Sequence, residues 1–305
     1  MMLDRLAGNA ALKAELAAAL RAGRLPHAVL LVGEPGCGAG FAARCLAADY
    51  LYPAGGPHAE AVLRQEDAEC LVLRGEGASG QIPVKRVREM REAIQHSALS
   101  TDAAGRVLFI YGAQNLNGSS ANAMLKIIEE PPEGVLFLLT AASAATVLPT
   151  IRSRCAAYTV APVPAAECAA LLRDRGLPAP QAEELAFVYE GHIGTALRVF
   201  GDKDARAALD KARELCGFAA SNDTYRALAL LTKYERDREG LTALLWQLDQ
   251  LCSAVLRRPD YGGACGGLRP AQAADILRAV AETRRHVTAN GNLRLTVALL
   301  AAQIA

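Results

Sequence analysis

Five short apolar runs constrain the fold of this chain more than any other feature: HAVLLVG (27–33), ECLVLRG (69–75), RVLFIYG (106–112), GVLFLLT (134–140) and AAYTV (156–160). Near-continuous apolar strands separated by helix-like stretches indicate a parallel sheet with helices on both faces. Between the runs, Leu12, Leu16 and Leu20 mark one helix by their i, i+4 spacing, and Val84, Val87, Met90 and Ile94 mark another. A third is expected from about Ala121 to Glu130, stopped by Pro131 and Pro132, which exclude the helical conformation at the residue before them. After about Ala161 the strand pattern disappears. PVPAAE (162–167) reads as a linker, followed by short helices to about Phe200, longer ones from Lys203 to Leu256, and a last helical stretch from Pro270 to Ala305. The glycine-rich interruption YGGACGGLRP (261–270) predicts a flexible loop.

At 305 residues the chain has room for two or three domains. Its 33 basic and 32 acidic residues leave a net charge of +1, so no global field draws it toward nucleic acid or anionic lipid. Any DNA contact has to be local or shared with partners. Asp4, Arg5, Lys13 and Glu15 interrupt the first segment, which argues against a signal peptide. No run of about 18 apolar residues is uninterrupted, so a soluble, cytoplasmic protein is expected. The eight cysteines, Cys37, Cys45, Cys70, Cys155, Cys168, Cys216, Cys252 and Cys265, are scattered and form no C-x-x-C pair. Reduced thiols in cores and loops are expected, rather than disulfides or metal ligands.

The stretch LVGEPGCGAGF (31–41) has the outline of a phosphate-binding loop. In G-x-x-x-x-G-K-[ST], backbone N–H groups at a helix N-terminus surround the phosphates, the lysine reaches the β/γ oxygens and the hydroxyl holds magnesium. Gly33, Gly36 and Gly38 keep the glycine pattern, but Ala39 and Gly40 remove the lysine and the hydroxyl together. Hydrolysis also needs an acid at the end of a neighbouring strand. RVLFIYGAQNLN ends instead in Tyr111, Gly112 and Ala113. Two readings remain open for the loop: a turn that binds nothing, or a weak anion or nucleotide site. Under neither is it catalytic.

Two further stretches carry the function. NGSSANAMLKIIEEPPEGVLFLLT (117–140) reads as an amphipathic helix, a double-proline stop and a buried strand, and VLPTIRSRCAAYTV (147–160) puts Arg152 and Arg154 on a surface segment. Asn122 to Lys126, Glu129 to Pro132 and Leu148 to Cys155 together resemble the bacterial clamp-loader family of AAA+ proteins, and within it the delta-prime branch of DNA polymerase III clamp-loader subunits. IPVKRVREM (82–90) and NGNLRLTVALL (290–300) extend the resemblance along nearly the whole chain. It implies a RecA-like AAA+ parallel-sheet domain over 1–161, a small helical lid over 162–206 and a helical collar for oligomerisation over 207–305.

The family's ATP-hydrolysing motors keep the lysine-threonine pair and the acidic strand end, so Ala39, Gly40 and Tyr111 to Ala113 favour the non-hydrolysing branch. Gly194, in GHIGTALRV (191–199), stands where a motor would carry a phosphate-sensing arginine. The resemblance implies that Arg154 is an arginine finger acting in trans on ATP bound by a neighbouring motor (gamma/tau) subunit, that Ser153 positions its loop and that Cys155 packs beneath it. Arg152 is the fallback finger. Implied partners are the motor and delta subunits in a hetero-oligomeric ring, with the sliding clamp and primed DNA reached through the assembly. The alternative is a divergent motor that hydrolyses ATP itself; a third possibility is a relative used in repair or recombination. Many relatives carry a zinc-binding cysteine cluster between Cys45 and Cys70, but here the interval holds only His58 as an added ligand, so no zinc and no cofactor are expected.

Several other features are assigned no chemistry. Lys85, Arg86, Arg88 and Arg91 form a basic run readable as a solvated face or a DNA contact, and Arg284, Arg285 and His286 sit on the expected collar. Trp246 is read as core. Glu129 and Glu130 end a helix with no nucleophile or metal nearby and are given no acid–base role.

Overall fold

The computed structural model describes residues 1–77, 80–95 and 100–304. The chain forms two compact units. One comprises Met1–Cys168 with Gly191–Thr195; the other comprises Ala169–Glu190 with the chain from Ala196 onward. The segment 162–206 is thus shared between them. In chain order the first unit holds α1 (Ala10–Arg21), β1 (Ala28–Val32), α2 (Ala39–Leu51), α3 (Pro57–Arg64), β2 (Cys70–Leu73), α4 (Val84–Ile94), β3 (Arg106–Tyr111), α5 (Gly118–Glu129), β4 (Val135–Ala141), α6 (Pro149–Arg152) and β5 (Ala156–Thr159).

Each of the five apolar runs is a strand, and together they make one parallel sheet in the order β2-β3-β4-β1-β5. The runs lack polar alternation because both faces are covered. Val29, Leu31, Val107, Phe109, Leu136 and Leu138 point into a core shared with α1, α2 and α3. Their neighbours Leu30, Leu108, Ile110, Phe137 and Leu139 point the other way, against α4, α5 and α6. Burying each such side chain stabilises the fold by roughly 1.5–3 kcal/mol, so the two cores together hold the sheet. A charged pair lies within this apolar frame. Arg106 Nε donates to Glu69 Oε2 at 2.9 Å, and the two side chains are 8% and 1% exposed.

The remaining helices are α7 (Ala165–Asp174), α8 (Ala179–Val188), α9 (Ile193–Gly201), α10 (Lys203–Ala220), α11 (Thr224–Leu231), α12 (Arg238–Arg257), α13 (Pro270–Thr288) and α14 (Leu293–Ile304). In the second unit α12 forms the spine, burying Leu241, Leu244, Leu248, Leu251 and Val255 at helical spacing. Asp202, Asp223 and Asp237 cap α10, α11 and α12, each accepting a backbone N–H of the first turn and so satisfying an otherwise orphaned donor.

Two expectations for this unit are corrected. The stretch 261–270 is not a loose loop: Pro259–Cys265 forms a 3-10 helix with Tyr261, Gly262 and Cys265 buried. Its glycines serve close approach. A Cβ on Gly262 would lie 2.1 Å from Leu268 O, and one on Gly266 would lie 2.5 Å from Gly217 Cα of α10. Trp246 is half-buried rather than core, its ring stacked on Tyr189 at 5.6 Å with the Arg198 guanidinium 5.9 Å from its centroid.

Candidate functional site

β1 lies between β4 and β5 in the sheet, so its C-terminal end opens at a point where chain connections diverge, the usual place for a ligand crevice in a parallel sheet. The loop from Gly33 to Gly38 leaves β1 there and turns into α2. Gly36 and Gly38 adopt φ of 99° and 98°, a region other residues enter only with strain. Gly33 passes so close to β5 that a Cβ would sit 2.6 Å from Val160 O. The glycines thus take conformations and close approaches that only glycine fits, and the loop borders a cleft of about 460 Å³ that also meets Arg44, Tyr111 and Thr140.

The side chains around that loop do not fit a magnesium-bound triphosphate. Ala39 offers no cation and Gly40 no hydroxyl. A Cβ on Gly40 would already touch the Tyr111 ring at 3.4 Å, so a branched residue there would have its outer atoms against an aromatic wall. Tyr111 ends β3 where an acid is required. It is held by Gln65 Nε2, which donates to its hydroxyl at 2.7 Å, by stacking on Phe109 at 5.7 Å and by the Arg74 guanidinium 4.7 Å from its centroid. Burial pushes the Tyr111 hydroxyl pKa up, so it supplies no anion for a metal at neutral pH. Arg44 is the cation that lines the cleft, and among the described residues its buried Nε has no hydrogen-bond partner.

The segment 191–195 closes over the loop. Gly194 N donates to Gly36 O at 2.8 Å, Thr195 Oγ1 reaches Pro35 O at 3.5 Å, and His192 Nε2 lies 3.0 Å from Glu34 Oε2. A Cβ on Gly194 would begin 3.1 Å from Gly36 O, which leaves little room for a side chain aimed at the cleft.

The second locus is the turn after α6. Arg154 follows this short helix and is 39% exposed. Its Nη2 pairs with Glu129 Oε1 at 2.6 Å, while Nη1 donates to Thr150 O at 3.0 Å and lies 3.4 Å from Ser153 Oγ. Ser153 in turn donates to Thr150 O at 3.1 Å, which ties the turn together. Arg152 points elsewhere, its Nη1 contacting Ala144 O at 3.3 Å. Cys155 packs half-buried against the core beneath. The Arg154–Glu129 pair escaped the sequence reading because the two residues lie in different elements, and only the fold brings the end of α5 to this turn.

The cysteines are all free. Among the described residues no group of three or more His, Cys, Asp or Glu side chains is arranged to hold a metal. His58 is 3.4 Å from Asp67 Oδ2 and stacks on Tyr52. Burial pushes the thiols of Cys45 and Cys70 up to about 12 and those of Cys155 and Cys168 up to about 11. The pKa of Cys216 is raised by the neighbouring Cys252 thiol and by burial, a convergence that sequence spacing hides. At pH 8 a thiol with a pKa near 11 is thiolate in only about one molecule in a thousand. Labelling with an aromatic disulfide at pH 8 is accordingly expected to be slow in the native protein and to reach all eight thiols after denaturation. Rapid native labelling of Cys155 would contradict its packed position.

A parallel sheet of this strand order with a phosphate-type loop after β1 and an arginine turn before β5 defines a RecA-like AAA+ unit. Residues 8–164 match the family described as DNA polymerase III, delta subunit. The chain belongs to that family of clamp-loader AAA+ proteins. It is 33% identical over 236 residues to the DNA polymerase III subunit gamma/tau of Mycobacterium tuberculosis, a match covering 73% of this chain and 39% of that protein. The chain thus spans about two fifths of the length of these gamma/tau relatives. It is 28% identical over 261 residues to the delta' subunit of Escherichia coli, covering 82% of this chain and 75% of that protein. Among solved structures, a gamma subunit-related protein from Thermotoga maritima superposes with a TM-score of 0.59 at 17% identity, covering 94% of this chain and 97% of the other. A Thermotoga maritima RuvB mutant gives 0.51 at 17% identity, covering 95% and 85%. These two likenesses concern the fold.

Proposed function

We propose that the chain is a non-hydrolysing, delta-prime-type subunit of the DNA polymerase III clamp loader. In this reading it is a stator that helps assemble a ring with motor (gamma/tau) and delta subunits and supplies Arg154 in trans to a motor neighbour's ATP site. The ring would then open a sliding clamp and place it on primed DNA in replication. The three-part division into AAA+ domain, lid and collar, the cytoplasmic location and the lack of zinc belong to the same proposal. The observation that carries it is the contrast between the two loci. The loop after β1 keeps its glycines but has Ala39, Gly40 and Tyr111 in place of lysine, hydroxyl and acid, whereas Arg154 stays exposed on a fixed turn.

The gamma/tau likeness favours a second reading, an ATP-hydrolysing motor. The isolated chain separates the two. We expect no ATP hydrolysis above a contaminant background, and none after Ala39→Lys with Gly40→Thr, because the end of β3 still lacks an acid and Tyr111 crowds position 40. Turnover by the wild-type chain that scales with its concentration and survives repurification would establish the motor reading. Co-purification with motor subunits, and loss of clamp- and DNA-stimulated turnover when this chain is omitted, would support the stator reading.

A further inference from the structure

Glu129 occupies an electrostatically poor place. It is the last residue of α5, where the helix dipole presents its negative end, and Glu130 follows it. An acid there is disfavoured relative to a neutral or basic residue. The pair it forms with Arg154 does not explain its presence through stability, because both side chains are open to solvent, at 39% and 47% exposure, and such pairs contribute little. The geometry of the guanidinium does explain it. Glu129 holds Nη2 from α5 while Thr150 O and Ser153 Oγ hold Nη1 from the α6 turn. Contacts on two terminal nitrogens from two separate elements fix the plane of a side chain that otherwise samples many rotamers.

We propose that Glu129 is the positioning residue of Arg154: it sets the orientation of the guanidinium before a neighbouring subunit docks, so that less freedom is lost when the fork meets phosphoryl oxygens. The inference rests on the proposed finger role of Arg154. Its chemistry is general, since a planar donor set is effective only when its plane is directed, and small misplacements of a reacting or stabilising group lower rates steeply. Glu129 touches no substrate in this scheme and acts through Arg154 alone.

The test is a double-mutant cycle in the loader reconstituted with its motor subunits, clamp and primed DNA, reading ATP turnover. The part of turnover lost in Arg154→Ala defines the Arg154-dependent rate. Glu129→Ala is expected to lower that part by about tenfold, within the coupling found for contacting residues, with KM for ATP and assembly unchanged. Glu129→Gln, which keeps an acceptor oxygen in the same place, should restore a portion of it and guards against a variant that simply misfolds. The double variant should be no slower than Arg154→Ala alone. If Arg154→Ala lowers turnover and Glu129→Ala does not, the positioning role is wrong while the finger stands. Faster turnover in Glu129→Ala would show that the carboxylate restrains the arginine, and a further loss in the double variant would show that it acts elsewhere; either overturns the proposal. If Arg154→Ala has no effect in an assembled loader, both readings fall together.

Discussion

Replacing Arg106 with alanine is expected to destabilise the α/β unit by about 3–5 kcal/mol, the range for removing one partner of a buried ion pair. Glu69 is 1% exposed on its side chain, so the variant would leave its carboxylate in the interior without its guanidinium. Ser100 N also donates to Glu69 Oε1 at 2.7 Å, a neutral contact that does not balance a charge. Arg106 also donates to Ala93 O at 2.6 Å and thereby ties the last turn of α4 to the start of β3. The pair sits one residue before the ladder in which Cys70 faces Val107, and Val107 N donates to Glu69 O at 3.0 Å. It therefore marks the register in which the edge strand β2 joins the sheet. Urea unfolding of the isolated chain provides the measurement. The pair of changes Glu69→Leu with Arg106→Met should recover a large share of the loss, because it removes the buried carboxylate along with its guanidinium. A single-variant loss under about 1 kcal/mol would mean that water or another polar group compensates Glu69 when Arg106 is gone.

Much of this architecture is legible from residue order because the relevant physics is local or periodic. Strands covered on both faces have to be apolar throughout, and the five runs from 27 to 160 became β1 to β5 in one parallel sheet. The double proline at 131 and 132 stopped α5 at Glu129, one residue before its expected end. The helix begins at Gly118, three residues before the expected Ala121. Asn117 caps the helix by accepting from Ser120 N at 2.9 Å, and the short polar Gly-Ser-Ser turn that follows hides this start from apolar spacing. Similarly, the glycines from 262 to 267 carry the same composition in a loose loop as in a turn packed against another backbone. Only the partner surface, here Gly217 and Leu268, separates the cases.

The candidate site divides along the same line. The missing lysine, hydroxyl and acid can be read from positions 39, 40 and 111 to 113, since a motif fixes which residue belongs where. That Tyr111 lies against position 40, or that Gly194 donates to Gly36, depends on segments distant in sequence meeting in the fold. The acid beside Arg154 is the sharpest case. Glu129 belongs to the Glu-Glu-Pro-Pro motif, yet only the fold brings the end of α5 to the α6 turn and so sets its partner.

Replacing Arg154 with alanine is expected to produce the largest functional loss of any single change, and to leave folding nearly untouched. The side chain is 39% exposed and its contacts are to a half-exposed carboxylate, a carbonyl and a hydroxyl, so the melting temperature should move little. In the proposed ring its effect lies across the subunit boundary. A guanidinium delivered in trans stabilises the charge that spreads over phosphoryl oxygens in the transition state, and in other NTPases this is worth about 10³ to 10⁵ in rate. That factor applies to the one adjoining motor site. Other sites would keep their own fingers, so total ATP turnover should fall only in part, whereas clamp loading, which needs the sites to act together, should fall further. Arg154→Lys should be impaired as well, because an ammonium keeps the charge but loses the planar fork that now spans Glu129 and Thr150. The control is Arg152→Ala, whose side chain contacts Ala144 O on a different side of the turn. Assayed side by side in the same reconstituted loader, loss confined to Arg152→Ala would move the finger to that residue. Normal loading by both variants in a properly assembled complex would leave the chain a passive scaffold.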